Sequence, residues 1–374
     1  MDLFQVKPRI YYGKNSLKSL KELNINRVFI VTDENMVRLK VVDNITNILD
    51  KMDNVEIKIF SNVKPDPTDV EIIEGMIELN KFDPDCVIAI GGGSPIDACK
   101  GIIYFTNKIK RAMNEEIKNQ TFIVIPTTSG TGSEVTTYSV ITSEGRKIAI
   151  SDEEMLPHIA ILDPEFIRTL PPQIIADTGM DVLTHAVEAY VSLKANMFTN
   201  SLALGAIKTV FSDLVSNYEN PELEKERINM QLASCMAGIA FSNSSLGINH
   251  SIAHAIGAKY HVPHGRANAV IMPKVIMFNS KVQGAAKAYD EIVKALEFNL
   301  KEEGEGAGIL AKAIDLRKAK MGIPMSLREM NISKEQYFND LEDIIDLIYK
   351  DIATEYNPRK FNRNEIKELL ETLY

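Results

Sequence analysis

Between Arg27 and Leu162 the chain repeats one pattern that few architectures accept: a short apolar, β-branched run, a stretch with helical periodicity, then another apolar run. The runs are Val28–Val31, Val55–Phe60, Cys86–Ile90, Phe122–Ile125 and Ile159–Leu162, with Ser16–Leu23 and Asp69–Asn80 among the periodic stretches. Strands alternating with helices predict a parallel sheet. Most of these runs lack polar alternation, so both faces of the sheet should be covered. The N-terminal Met1–Gly13 segment has no apolar signal core and reads as the first strand. From about Gly179 the strand signals stop, and amphipathic stretches follow to Tyr374, clearest at Met180–Leu193, Asn200–Asn217, Glu222–Phe241, His250–Tyr260 and Ala285–Leu296. Pro171 and Pro172 mark a domain junction. The expected organisation is an N-terminal α/β domain over residues 1–178 and an all-α domain over 179–374, with an active site in the cleft between them.

A chain of 374 residues exceeds what one core usually supports, which agrees with two domains. The net charge of −9, without a long basic run, argues against nucleic acid as a partner. No apolar run approaches the length needed to span a bilayer. Cys86, Cys99 and Cys235 have neither disulfide nor zinc-finger spacing, as suits a reducing, cytoplasmic setting.

Two strands end in turns built for a ligand. After Cys86–Ile90 come Gly91-Gly92-Gly93-Ser94-Pro95-Ile96-Asp97. The glycines let backbone approach a ligand closely, and a following helix offers its first N–H groups to a phosphate. Ser94 reads as the helix N-cap, Pro95 as its first residue and Asp97 as a capping-box acid. This is not the G-x-G-x-x-G fingerprint, and a plain strand-to-helix turn would also fit. Phe122–Ile125 runs into Pro126-Thr127-Thr128-Ser129-Gly130-Thr131-Gly132-Ser133-Glu134, dense in hydroxyls and equally readable as a surface loop. Two such turns on one sheet favour a dinucleotide crevice. Asp33, just after Val28–Val31, either accepts from a ribose 2′-hydroxyl, favouring NAD over NADP, or caps the next helix.

Five of the six histidines lie between Asp181 and His264. Asp181 and His185 stand four apart, so one helical face carries both. His250 and His254 repeat that spacing, and His261 and His264 complete four histidines in fifteen residues. Any one of them alone would be read as a satisfied core histidine. Together with Asp181 they offer nitrogen and oxygen ligands to Fe²⁺, Zn²⁺, Mn²⁺ or Ni²⁺. A thiolate zinc site is disfavoured, because Cys235 is the only cysteine in this stretch. Spacing leaves open which of the four histidines bind.

Six ordered segments resemble the iron-containing (group III) alcohol dehydrogenases: GGGSPIDACK, PTTSGTGSEVT, KIAISDEEMLPHIAILDP, TGMDVLTHAVEAYVS, GINHSIAHAIGAKYHVPHG and NPRKFNRNEI. The match spans nearly the whole chain and looks most like the 1-propanol or butanol dehydrogenase type. The resemblance implies a dehydroquinate synthase-like architecture, an α/β dinucleotide-binding domain followed by an all-helical metal-binding domain. It assigns the metal to Asp181, His185, His250 and His264, and places His254 beside the nicotinamide and substrate as candidate proton relay. It assigns dinucleotide contacts to Asp33, Asp66, Gly93, Ser94, Thr127, Thr128, Thr131 and Lys147. Asp66 occupies a position that is often Asn in relatives, and Ala353 one that is often Cys. The implied activity is NAD(H)-dependent interconversion of short-chain primary alcohols and aldehydes with Fe²⁺, or Zn²⁺ in its place. The protein would be a cytoplasmic homodimer, with enclosure in a bacterial microcompartment open to a 1-propanol type enzyme. Competing expectations are another polyol or diol dehydrogenase such as a lactaldehyde reductase, a dehydroquinate synthase-like lyase, or a catalytically dead scaffold. The lyase would need a basic cluster for a phosphorylated substrate, and the motifs offer few cations beyond Lys147, Lys259 and Arg266.

Overall fold

The computed structural model describes residues 3–143 and 146–374. These form two compact units, Gln5–Thr169 and Leu170–Tyr374, the second joined by Leu3 and Phe4. This division falls ahead of the 178/179 boundary drawn from the pattern. The helix carrying Asp181 starts at Pro172, not near Thr178-Gly179, with Pro172 in the first turn where no N–H is needed.

The first unit is a six-stranded sheet, ordered β1-β8-β5-β4-β2-β3 and parallel throughout. Its strands are β1 (Arg9–Tyr12), β2 (Arg27–Val31), β3 (Glu56–Phe60), β4 (Cys86–Gly91), β5 (Thr121–Pro126) and β8 (Ile159–Leu162). Met1 and Asp2, part of the expected first strand, lie outside the described residues. Alternate residues serve two cores. Phe29, Val31, Val87, Ala89, Phe122 and Val124 pack on one side against helices α3 (Asp69–Phe82) and α4 (Gly93–Ala112). Val28, Ile30, Ile88, Ile90, Ile123 and Ile125 pack on the other against the 3₁₀ turn Ser16–Glu22 and helix α2 (Asp43–Leu49). Double coverage is why the strands read as continuous apolar runs. A five-residue helix, α1 (Glu34–Arg38), follows β2.

One element was not expected. An antiparallel hairpin, β6 (Tyr138–Ser143) with β7 (Arg146–Ser151), stands apart from the main sheet. Glu144 and Gly145, between the two strands in sequence, lie outside the described residues.

The second unit is helical: α5 (Pro172–Val191), α6 (Met197–Glu219), α7 (Glu224–Ser244), α8 (Ile248–Tyr260), α9 (His264–Asn279), α10 (Gln283–Ala295), α11 (Gly306–Lys320), α12 (Lys334–Asn339), α13 (Leu341–Lys350) and α14 (Arg363–Glu371). Helix α5 is the axis of the bundle, buried almost continuously from Ile175 to Val191. A helix buried all round would normally be apolar all round. Here one face carries Asp177, Asp181, His185 and Glu188, all buried, and that polar stripe organises the chemistry. Among the described residues no helix is long and apolar enough to cross a membrane.

Candidate metal centre and dinucleotide crevice

Three helices of the second unit each bring an i, i+4 pair to the same place. Helix α5 presents Asp181 and His185, α8 presents His250 and His254, and α9 presents His264 and Asn268. One ligand atom from each of Asp181, His185, His250 and His264 lies within 4.8 Å of the others. From Asp181 Oδ1 the distances are 3.6 Å to His264 Nε2 and 3.9 Å to His250 Nε2. The His185 ring stacks on that of His250, centroids 4.6 Å apart, and on Phe241 at 4.5 Å. Asp181, His185 and His250 are buried, while the His264 side chain is 34% exposed, so the cluster opens on that side.

Burial, with His185, His264 and His254 around it, holds His250 well below the usual histidine range, so the ring is neutral and can ligate. Which nitrogen is available depends on the other one's partner. His250 Nδ1 pairs with a Glu188 carboxylate oxygen, leaving Nε2 to face Asp181. The other Glu188 oxygen accepts from Asn249 N at 2.7 Å. Burial pushes the Glu188 carboxyl up to about 8, against the pull of the backbone N–H groups of Asn249, Gly247 and His250. A divalent charge one imidazole away would pull it back down. The Asn268 amide donates to Asp181 Oδ1 at 2.7 Å and lies 3.1 and 3.2 Å from the Nε2 atoms of His250 and His264. Asn249 orients that amide by donating to its oxygen at 2.9 Å. Close approach of α9 to α5 requires Gly265, where an added Cβ would sit 2.2 Å from the Asp177 carbonyl oxygen. One residue on, Arg266 grips the Asp177 carboxylate with two bonds of 2.8 and 3.1 Å.

His254 stands beside the cluster, its ring stacked on His264 at 5.2 Å. Its Nδ1 is 2.7 Å from Asp351 Oδ2. Burial raises Asp351, but its hydrogen bond to His254 and the charge there bring the carboxyl below the usual range. His261, by contrast, is exposed and takes the left-handed cap of α8, φ 54°. Sequence reading missed Glu188, Asn268 and Asp351. The first two were findable: Glu188 continues the Asp181-His185 stripe at i+3, and Asn268 repeats the i, i+4 rule from His264. Nothing local marks Asp351, which reaches His254 across nearly a hundred residues.

In the first unit, the chain leaves β2 towards β3 on one side and leaves β4 towards β5 on the other. The ends of β2 and β4 therefore form a topological switch point, where open α/β sheets bind ligands. A groove of about 620 Å³ lies there, lined by Asp33, Asn62, Lys64, Glu74, Gly92, Gly93 and Ser94 among others. Of the expected dinucleotide residues, Asp66, Thr127, Thr128, Thr131 and Lys147 do not line it. Thr128 and Thr131 instead face the glycines, with Thr131 Cγ2 3.0 Å from where a Gly93 Cβ would be. Asp66, at φ 56°, accepts from Lys147 Nζ at 2.7 Å.

Two readings of this region need correction. Gly91, at φ 148°, turns the chain so sharply that α4 begins at Gly93 with Gly92 as its cap. Ser94 is thus inside the first turn and is not the N-cap. Asp97 is no capping-box acid, since its carboxylate accepts from Ser133 Oγ and Val140 N. Asp33 does cap α1, through bonds from Asn35 N and Met36 N that both use Oδ1.

An iron-containing alcohol dehydrogenase model matches residues 7–164, and the C-terminal model of the Fe-containing alcohol dehydrogenase family matches 175–374. The chain belongs to the iron-containing alcohol dehydrogenase family. It is 38% identical over 377 residues to the NADPH-dependent butanol dehydrogenase of Clostridium saccharobutylicum, covering 98% of this chain and 96% of that one. It is also 38% identical over 377 residues to the 1-propanol dehydrogenase PduQ of Salmonella typhimurium, covering 100% of both. Among solved structures, the iron-containing alcohol dehydrogenase of Thermococcus thioreducens superposes with a TM-score of 0.91 at 32% identity, covering 100% of this chain and 99% of that one. The sulfoacetaldehyde reductase of Bifidobacterium kashiwanohense, in complex with NAD⁺, superposes at 0.86 with 25% identity, covering 100% and 98%. The enzyme is a metal-dependent alcohol dehydrogenase of a family that uses iron and a nicotinamide dinucleotide.

Both cofactors fit the residues present. Three imidazoles and one carboxylate suit a divalent ion of borderline softness. The groove meets the first turn of α4, which no side chain caps, and Gly92 and Gly93 line it there. Ser129 Oγ nearby in sequence is buried without a hydrogen-bond partner.

Proposed function

We propose that this enzyme interconverts short-chain primary alcohols and aldehydes, of the propanol and butanol class, with NAD(H). The observation that carries the reading is the four-residue cluster of Asp181, His185, His250 and His264. When bound, the ion supplies Lewis acidity towards the substrate oxygen and the dinucleotide supplies or takes the hydride. One carboxylate among the four ligands leaves a divalent site net positive, which suits an oxygen that gains negative charge during reaction. His254 holds the proton that leaves the alcohol or returns to the aldehyde, on Nε2, while Asp351 fixes the opposite nitrogen. Gly93 and Ser94 at the start of α4 take the pyrophosphate. Thr127, Thr128 and Thr131 bond the nicotinamide-side ribose or amide, and Asp66 and Lys147 contact the cofactor as a pair. Asp33, with Oδ1 engaged in the α1 cap, keeps Oδ2 for a ribose hydroxyl and repels a 2′-phosphate. We place the enzyme in the cytoplasm as a homodimer.

The names of the similar butanol and 1-propanol dehydrogenases support this substrate class over a lyase or a dead scaffold. The test is oxidation of NADH and of NADPH by anaerobic, iron-loaded enzyme across a panel of short aldehydes. Propanal or butanal should be reduced, faster with NADH. Asp181→Ala and His264→Ala should each lose turnover and bound metal while still binding NADH. Wild-type activity in either variant would remove the metal assignment.

A further inference from the structure

The largest investment of buried charge in the first unit lies outside the groove and has no part in the chemistry above. Lys100, on the second turn of α4, is completely buried. Its Nζ donates to Ser133 Oγ at 2.9 Å, Thr136 O at 2.9 Å, Thr136 Oγ1 at 3.0 Å and Tyr138 O at 2.8 Å. An ammonium has three N–H donors, so these four acceptors more than saturate it. Asp97, one turn earlier on the same face, accepts from Ser133 Oγ at 2.8 Å and from Val140 N at 3.1 Å. Its backbone oxygen accepts from Ser139 Oγ at 2.8 Å. Every one of these bonds joins α4 to the segment 133–140. Stability alone does not call for such an arrangement, because an apolar side chain of similar size fills a buried position with no desolvation penalty.

What the bonds do is fix a stretch that has almost no regular structure of its own. Between β5 and β6 the chain makes only the three-residue turn Ser133–Val135, entered through Gly132 at φ 61°. Ser133 is the knot: its hydroxyl accepts from Lys100 and donates to Asp97, while its N–H donates to Thr131 Oγ1 at 3.2 Å. Thr131 in turn sits against Gly93, the first residue of α4. The helix that begins in the groove thus reaches back, seven residues on, and holds the hydroxyl segment beside its own first turn. Burial pushes Lys100 down to about 8 despite Asp97 and Glu134 beside it.

We propose that Lys100 is a positioning residue, which with Asp97 and Ser133 sets the placement of Thr127–Thr131 against Gly93 and so the affinity for the dinucleotide. This rests on the dinucleotide reading of the groove. No contact between Lys100 and cofactor is required. The effect runs through Ser133 and Thr131.

The test uses iron-loaded enzyme, NADH as the probe, and the variants Lys100→Met and Ser133→Ala. Lys100→Met should raise the NADH dissociation constant and KM by about tenfold or more, as expected for displaced binding groups. Turnover at saturating NADH should stay near parental, and metal content unchanged, since all four ligands belong to the other unit. Ser133→Ala leaves Lys100 three acceptors and should raise KM for NADH by about threefold, again without loss of metal. A structural role alone would show differently: less folded enzyme, hence lower turnover per mole, with an unchanged KM for NADH. That pattern, or parental NADH affinity in both variants, overturns the proposal. If Lys100→Met fails to fold, Ser133→Ala decides by the same criterion. A parent enzyme that binds no NADH overturns the dinucleotide reading itself, and this inference with it.

Discussion

Glu188→Gln is the substitution for which the geometry makes the sharpest claim, because it changes one atom and leaves the shape alone. With a divalent charge nearby to keep it ionised, the carboxylate is an acceptor at both ends, one oxygen towards His250 Nδ1 and the other towards Asn249 N. A glutamine can accept at only one of them. With its oxygen on Asn249 N, its amide donates to His250 Nδ1, and the imidazole must carry its proton on Nε2, the nitrogen that faces Asp181. The metal-free protein relaxes into that arrangement at little cost. To ligate, His250 must give up the Nε2 proton, and the glutamine must then turn its oxygen to Nδ1–H and its amide onto Asn249 N–H. One buried donor is left facing another, a penalty of about 1–3 kcal/mol. Charged to the bound state alone, this weakens metal binding roughly 5- to 150-fold, overlapping the range found when partners of ligating histidines are removed. The assay is competition for Fe²⁺ or Zn²⁺ against a chelator, with thermal unfolding of the metal-free protein alongside. Weakened binding with a parental unfolding midpoint is expected. Parental metal affinity in Glu188→Gln would show that Glu188 does not set the His250 tautomer, and would refute the reasoning.

Two further substitutions probe the two units separately. Gly265→Ala places a methyl 2.2 Å from a backbone oxygen of α5, which can yield only if α5 and α9 move apart. Overpacking of this kind costs about 1–3 kcal/mol, and because His264 and Asp181 lie on those two helices, metal content should fall with the unfolding midpoint. Retention of both would show that the helices have slack. Glu134 is raised by burial from 4.5 to about 7. Below 4.5 the folded and unfolded chains both hold the proton, and stability is indifferent to this group. As pH rises from 4.5 to 7 the unfolded chain ionises first, so the parent loses stability on the order of 3 kcal/mol. Glu134→Gln does not titrate, so its stability relative to parent should climb by about that amount between pH 5 and pH 8 in urea unfolding. Parallel curves across that range would mean that Glu134 is not buried as a carboxyl.

The parts of this fold that were legible in sequence are those set by local pattern. The main-sheet strands and most helices announce themselves because a doubly covered strand is apolar at every position and a packed helix at every third or fourth. Hairpin β6–β7 did not, since YSVITS is half polar. The start of α5 was hidden by a different effect. In QIIADTG the apolar Ile174 is exposed and the ionisable Asp177 is buried, so the segment carries no ordinary amphipathic signal. Asp97 misled for a third reason: at three residues from a serine, its spacing suits a cap, and only the fold shows that its partners are Ser133 and Val140. The four clustered candidate ligands follow the same division. Asp181-His185 was readable as a helical pair, whereas the choice between His261 and His264 depends on how α8 ends, and that between His250 and His254 on which ring faces Asp181. His261 is spent on the left-handed turn that lets α9 start at His264.

That turn also explains why the cluster can be assembled from so few residues. Helix α8 carries His250 and ends at the left-handed His261, and after Val262 and Pro263 helix α9 opens with His264 as its first residue. A ligand at the first position of a helix has its backbone N–H outside the helical ladder, so the side chain is placed by the cap geometry and by what packs beneath it. Beneath it is Gly265 against the Asp177 carbonyl, with Arg266 clamped to the Asp177 carboxylate. Asp177 is one turn before Asp181 on α5. The placement of His264 relative to Asp181 is therefore set by the Asp177 clamp together with the Asn268 amide that lies between the two side chains. The polar stripe of α5 reads, in order, as an anchor for α9 at Asp177, two candidate ligands at Asp181 and His185, and an anchor for α8 at Glu188. A helix that must dock two others at a metal site has reason to keep four ionisable groups buried on one face, where an apolar face would bury at less expense but hold nothing in register.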